Sequence, residues 1–540
     1  MKYKKEIYEE EKIKNSLIKK IIGVITFFTA FFILIINIVW INDVDLNETS
    51  QITYFGIKNI VISIGISVAI VVVSCFLGKI KIRRKIKVAI VILLLILYGV
   101  AQILWIQNTV GTQFADSQIV IITAEEIFKG QVDLTYRNYI QYYPQQLNLV
   151  LIFTAIFKLF NSTNIEILEY LNVVANVFTI LGLYAITFEI SKKIKINKII
   201  FWIISLGFIP VILLSMFVYG DFIGLVFAIW SIFFAIKYRK YRKKRYLLLT
   251  SLLIMMACFI RMNYLVLLIA IAIYWLIDFF EKENKNKKDL MKLLISIILL
   301  VLIIIIPSKV IKNLFCKQYN LDPEKSFSSI IYLYMGMSES PRGSGWYNSE
   351  VHEIFTLSME ENSDNNKILE ERCYPQVKRR VEFLVTHPVQ MIKFYTKKTI
   401  TMWADPTVAF RFYNSIYPEE INIEDYPIVN SILNLNGYVS IQLYQKALLY
   451  IIYIGTIFTI WYQRKNLNKE IVFLCLIFLG GFGFHILWEA KSRYIIPYIL
   501  ILIPVATVGI SYIIKIIENK IRKINTPKLE GVTNVEDKKS

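Results

Sequence analysis

The chain has 540 residues, 56% of them hydrophobic, and a mean hydropathy of +0.52. Its apolar residues fall in runs of about 17 to 25, long enough to cross a hydrocarbon layer roughly 30 Å thick, which excludes a soluble globular protein and predicts an all-α polytopic membrane protein. The net charge of +20 does not point to nucleic acid, because the basic residues sit in short clusters beside apolar runs and form no continuous stripe.

The basic N-terminus, MKYKKEIYEEEKIKNSLIKK, lacks a small-residue cleavage site and reads as the flank of an uncleaved first span. Span one, Ile21 to Ile41, leaves the cytoplasm toward the acidic NDVDLNETS; span two, Ile57 to Gly78, returns to the basic KIKIRRKIK. Span three, Val88 to Ile106, delivers a polar loop, residues 107–146, to the outer face. Leu147 to Phe160 is apolar but too short for an ordinary span. Laid along the outer interface, it keeps both SKKIKINK and YRKYRKKRY inside.

Spans then follow at Ile167 to Ile190, Ile199 to Val218, Phe222 to Ile236, Tyr246 to Arg261, Tyr264 to Phe280 and Leu290 to Pro307. Residues 308–440 lack a strong apolar run and predict a large external loop or small domain, with amphipathic helices such as Val381 to Trp403 resting on the membrane. Three last spans, Ile441 to Tyr462, Glu470 to Trp488 and Tyr494 to Ile514, bring the total to about twelve. The chain thus divides into 1–87, an N-terminal segment with two additional spans; 88–307, a core; 308–440, the external region; 441–516, the C-terminal spans; and 517–540, a cytoplasmic tail. The five cysteines show no metal-ligand spacing. Cys316 and Cys373 share the external region and would be able to pair if it faces an oxidising space.

Polar residues gather in the external turns. Asp116 precedes SQIVIITAEEIFKG, an amphipathic helix ending at Gly130, so it is either a plain N-cap or an acid held at the outer surface. Asp221, in VYGDFIG, is either a turn residue or a second acid at the same depth. Arg261 and Asn263, in CFIRMNYL, lie between apolar runs, where an arginine either snorkels or holds a partner. The final turn, HILWEAKSRYIIP, offers His485, Glu489, Lys491, Arg493 and Tyr494. Its positive charge breaks the charge rule for an outside loop and points to an anionic ligand such as phosphate. In YYPQQ, Tyr142 and Tyr143 are belt residues or, beside the acids and with Gln145, the lining of a sugar pocket.

These pieces resemble the membrane glycosyltransferases of the C-type fold, which include the protein O-mannosyltransferases and the bacterial aminoarabinose transferases. The resemblance runs through FADSQIVIITAEEIFKGQ, YYPQQ, YGDFIG and EAKSRY, scattered over residues 88 to 516. It departs from the Asp-Glu pair of the mannosyltransferases, because Ser117 follows Asp116. The resemblance implies a transferase at the extracytoplasmic face of the cell membrane. It implies a polyprenyl-phosphate sugar donor and an envelope polymer, glycolipid or protein acceptor. By position, Asp116 matches the acid that takes the acceptor proton and Asp221 the acid that organises the site, both associated in some members with a divalent cation. The other class to weigh is a transporter or flippase of lipid-linked sugars. Transporters usually bind near the midplane, whereas the polar residues here crowd one face.

Overall fold

A computed structural model describes residues 17–191, 196–282, 286–349, 351–352 and 366–525; the basic N-terminal stretch and most of the expected tail lie outside them. The chain opens with α1 (Leu17–Val39), a hairpin of β1 (Trp40–Val44) and β2 (Ser50–Tyr54), α2 (Ile57–Lys79) and α3 (Arg84–Asn108). The first polar loop holds α4 (Ala115–Phe128) and α5 (Arg137–Tyr142), and α6 (Leu147–Phe160) follows. Next come α7 (Glu166–Ile190), α8 (Lys198–Leu206), α9 (Ile209–Leu213), α10 (Asp221–Tyr241), α11 (Lys244–Ile260), α12 (Leu265–Phe280) and α13 (Lys287–Gln318). The region after α13 folds into α14 (Ile330–Gly336), α15 (Asn366–Thr386), α16 (Pro388–Trp403), α17 (Phe410–Asn414) and α18 (Pro427–Leu433). The chain closes with α19 (Leu435–Tyr462), α20 (Lys469–Leu487) and α21 (Ile496–Asn525).

Among the described residues, ten helices are long and apolar enough to cross a membrane. Of the remaining expected spans, α11 has 17 residues. The run Ile199 to Val218 is not one helix: Gly207 ends α8, Pro210 opens the short α9, and residues 214–220 form a turn. Proline has no N–H to continue a helical ladder, which the apolar run concealed.

Helices pack closely where side chains are smallest. A Cβ on Gly455 of α19 would lie 2.6 Å from the Ala506 carbonyl of α21, so only glycine permits the approach. On α2 the buried residues are Ser63, Ser67 and Ser74, and the Ser63 and Ser67 hydroxyls each donate at 3.0 Å to α19, to the Leu443 and Ala447 carbonyls. The rest of α2 keeps its apolar surface outward, as a lipid-facing helix must.

Two contacts fix how α6 lies. It begins beside Gln146, which donates to Tyr219 at 2.6 Å, and after it α7 begins near Gln113, which lies 3.5 Å from Glu169. Both ends of α6 therefore sit at the same end of the bundle and α6 does not traverse it. The expected helix Val381 to Trp403 is two helices broken at Pro388. The second, α16, buries Phe394, Lys398 and Trp403 inside the fold instead of resting on its surface. Lys398 reaches the carbonyls of Gly336, Ile486 and Trp488 at 2.5, 3.0 and 2.7 Å, which staples α14 and the end of α20 to α16. Cys316 and Cys373 are free thiols buried in separate apolar clusters, so they do not pair.

Candidate functional site

The site grows from the turns at one end of the bundle. Asp116 is the second residue of α4, not its cap: the cap is Phe114, whose backbone N–H donates to the Ser117 hydroxyl at 3.2 Å while that hydroxyl returns a bond to the Phe114 carbonyl at 2.8 Å. Ser117, the departure from the Asp-Glu pattern, is thus consumed in closing the first turn. Ala115 is left-handed with φ 48°, a strained setting for a residue with a Cβ, and it leaves Asp116 exposed.

Tyr219 ties this acid to the rest. Its hydroxyl donates to Asp116 Oδ2 at 3.2 Å and accepts from Gln146 Nε2 at 2.6 Å. Burial pushes the Tyr219 hydroxyl well above its ordinary pKa and the neighbouring Asp116 charge pushes it further. The same holds for Tyr139, whose hydroxyl faces both groups. Both phenols therefore stay protonated, and Tyr219 gives its hydrogen to the carboxylate.

Asp221 begins α10 and is held by arginines from two other helix junctions: Oδ1 lies 2.9 Å from Arg261 and Oδ2 lies 3.4 Å from Arg493. The Arg261 guanidinium stands 4.3 Å from the centre of the Tyr219 ring. Arg493 is surrounded by Phe217, Tyr413, Tyr219 and Tyr494 at 4.7, 5.0, 5.1 and 5.6 Å; its Nη1 makes the ion pair with Asp221, and its Nε is buried without a hydrogen-bond partner. Arg493 thus keeps one donor in hand. Asp221, Arg261, Asn263, Arg493 and Tyr494 line a cavity of about 30 Å³, room for a water-sized group and too small for a sugar ring.

Lys491 does not stand free. Its ammonium is 2.6 Å from Glu48, whose other oxygen is paired with Arg342. Glu48 occupies the tip of the β1–β2 turn with φ 57°, in a loop that Asp45 shapes by accepting from the Asn47 and Thr49 amides at 2.9 and 2.8 Å. The two N-terminal spans, read above as an addition, thus supply part of the site. Neither Glu48 nor Arg342 was singled out from the sequence. The acidic NDVDLNETS between two spans is the available signal, and as a mark of sidedness alone it does not point to the site.

The YYPQQ element divides. Gln145 donates to the Tyr332 hydroxyl at 3.0 Å, and Tyr143 bonds His352 and stacks parallel to its ring. Tyr142 instead turns into a side cluster, its ring 5.3 Å from Phe327. Glu489 donates its amide to the Tyr332 carbonyl at 3.1 Å. Burial pushes the Glu489 carboxyl up, Lys491 pulls it down, and Asp116 pushes it up again. His485 is buried behind Tyr494 with both ring nitrogens unpartnered.

The acids expected to share any divalent cation do not form a joint ligand set. The oxygens of Asp221 face two guanidinium groups, and Asp116 is bonded through Tyr219. No group of three or more His, Cys, Asp or Glu assembles among the described residues. The residues present do not fit a cation bridging these two acids.

Ten apolar helices carrying a polar assembly at one end define a multi-pass integral membrane protein. Over residues 11–513 the chain matches the family described as conserved hypothetical integral membrane protein, and it belongs to that family. No curated protein matches it.

Proposed function

We propose that this protein is a membrane glycosyltransferase that moves a sugar from a polyprenyl-phosphate donor to an acceptor hydroxyl at the extracytoplasmic face of the cell membrane. The observation that carries the reading is the exposed Asp116, which has no ion pair among the described residues, joined through Tyr219 to the largely buried guanidinium groups of Arg261 and Arg493. The acceptor O–H gives its proton to Asp116 as the new C1–O bond forms. The C1–O bond to phosphate breaks, and its electron pair leaves with the lipid phosphate toward Arg261 and Arg493. A placed carboxylate acting as base contributes on the order of 10² to 10⁴ in rate. The leaving phosphate needs cations and no acid, which suits a guanidinium pair in a dry setting. Asp221 is a positioning residue, since both its oxygens hold arginines. Displacement from the face opposite the phosphate inverts the anomeric centre.

Transfer from radiolabelled polyprenyl-phosphate sugars in membranes tests this. Asp116→Asn, folded and abundant, should lose transfer by on the order of 10² to 10⁴, while Asp221→Asn should weaken donor use. Wild-type transfer in both variants would remove the acids from the chemistry. No consumption of any donor, together with movement of the lipid-linked sugar between leaflets, would establish the transporter class instead.

A further inference from the structure

One sizeable opening takes no part in this chemistry. A cleft of about 600 Å³ lies between α14 and α15, open to the outside of the fold. Its walls carry Ser328, Glu370, Glu371 and Tyr374, and Trp488 lines it where α20 ends.

The two aromatic rings differ in kind. Tyr374 is 63% exposed on α15, so its ring is open to the cleft. Trp488 is fixed: its carbonyl accepts from Lys398 at 2.7 Å, its amide bonds Phe484 at 2.9 Å, and its ring stacks on Phe484 and Tyr332 with centres 5.4 and 6.5 Å apart. Glu370 accepts from the Ser328 hydroxyl at 2.5 Å, and Glu371 is exposed beside it. The exposed ring of Tyr374, edged by the carboxylates of Glu370 and Glu371, matches a pyranose, which has C–H faces and a rim of hydroxyls. The carboxylates stand out in a chain of net charge +20 and repel phosphate-bearing polymers.

The cleft also leads to the site. Trp488 is followed by Glu489, whose amide is bonded to Tyr332, and the Tyr332 hydroxyl is held by Gln145 of the loop that ends the Asp116 region. The same turn continues to Arg493, so one stretch of chain lines the cleft with its first residue and the small arginine cavity with its last. We propose that this cleft binds an oligosaccharide of uncharged sugars and is where the acceptor chain lies; its role as acceptor site rests on the transferase reading, while the saccharide binding does not.

The test uses the full chain purified in detergent and saturation-transfer difference NMR with soluble trisaccharides of glucose, mannose and N-acetylglucosamine, and with spermidine as a cationic control. At least one trisaccharide should bind, and Tyr374→Ala and Glu371→Gln, both exposed positions, should each weaken it by about tenfold or more. No saturable binding of any trisaccharide overturns the proposal. So does binding that both variants leave intact, or preferential binding of spermidine. Donor consumption measured in parallel separates the two readings. Saccharide binding without donor use keeps the cleft and removes the transferase; donor use without saccharide binding does the reverse.

Discussion

At the end of the bundle away from the candidate site, Arg239 lies 3.0 Å from Asp278 and 2.5 Å from Glu470, and Arg242 lies 2.5 Å from Asp278. Lys237 and Lys240 close on Glu189 at 2.5 and 3.0 Å, and Lys469 bridges Asp278 and Glu281 at 3.2 and 3.1 Å. Each of these charges has an opposite one beside it. At the other end Asp221 serves two arginines and Glu48 serves Lys491 and Arg342 in the same way, but the exposed Asp116 has no ion pair among the described residues. A closed ion-pair network holds helices together, whereas an exposed acid without an ion pair, set beside largely buried guanidinium groups, is arranged to meet something else.

The largest effect expected from this contrast is structural and belongs to the closed end. Asp278→Ala removes the buried carboxylate that Arg239, Arg242 and Lys469 share, while Arg239 keeps Glu470 and Lys469 keeps Glu281. Removing one member of such a set costs on the order of 3–5 kcal/mol. Thermal melting in detergent should drop steeply, while transfer per folded molecule stays at the wild-type level. A fall in specific transfer at unchanged melting temperature would mean that the two ends are not separate in role.

At the open end the order of effects reverses. Arg493→Lys keeps the charge but loses the planar fork and its stacking among Phe217, Tyr413 and Tyr219. Melting should move little, and transfer should fall on the order of 10²-fold, as for loss of one donor to a developing charge. A melting drop like that of Asp278→Ala would show that Arg493 is a second structural clamp.

How much of this was legible follows from what each element needs. The helices α2, α6 and α10 were visible because length and hydropathy define them, and Gly130, with φ 74° just past α4, ended its helix where a glycine should. The broken run at Gly207 and Pro210 was legible in principle, but continuous apolarity outweighed the breakers. Asp116, Asp221, Arg261 and Arg493 were reached from the sequence because charges between apolar runs are costly and few. Glu48 and Arg342 were not, because their pairing joins residues far apart in the chain through a hairpin whose register no local pattern states. Lys398 escaped for the same reason: an amphipathic helix reads as surface until its lysine finds three carbonyls inside.

The smallest effect concerns that hairpin. Burial pushes the Glu48 carboxyl up, but Lys491 and Arg342 outweigh it and hold Glu48 below its ordinary value. A carboxyl with a depressed folded pKa contributes stability above its unfolded pKa and loses it only as pH falls through the folded value, because in that window the unfolded chain binds more protons. Amide exchange protection of β1 and β2, corrected for intrinsic rates, should therefore stay flat from about pH 8 to about pH 5 and decline below the ordinary carboxylate range. In Glu48→Gln the hairpin should be less protected throughout and lack that acid step. If protection in the wild type instead falls near neutral pH, a different group holds the hairpin to the site. The salt bridges to Lys491 and Arg342 would then be its consequence and not its cause.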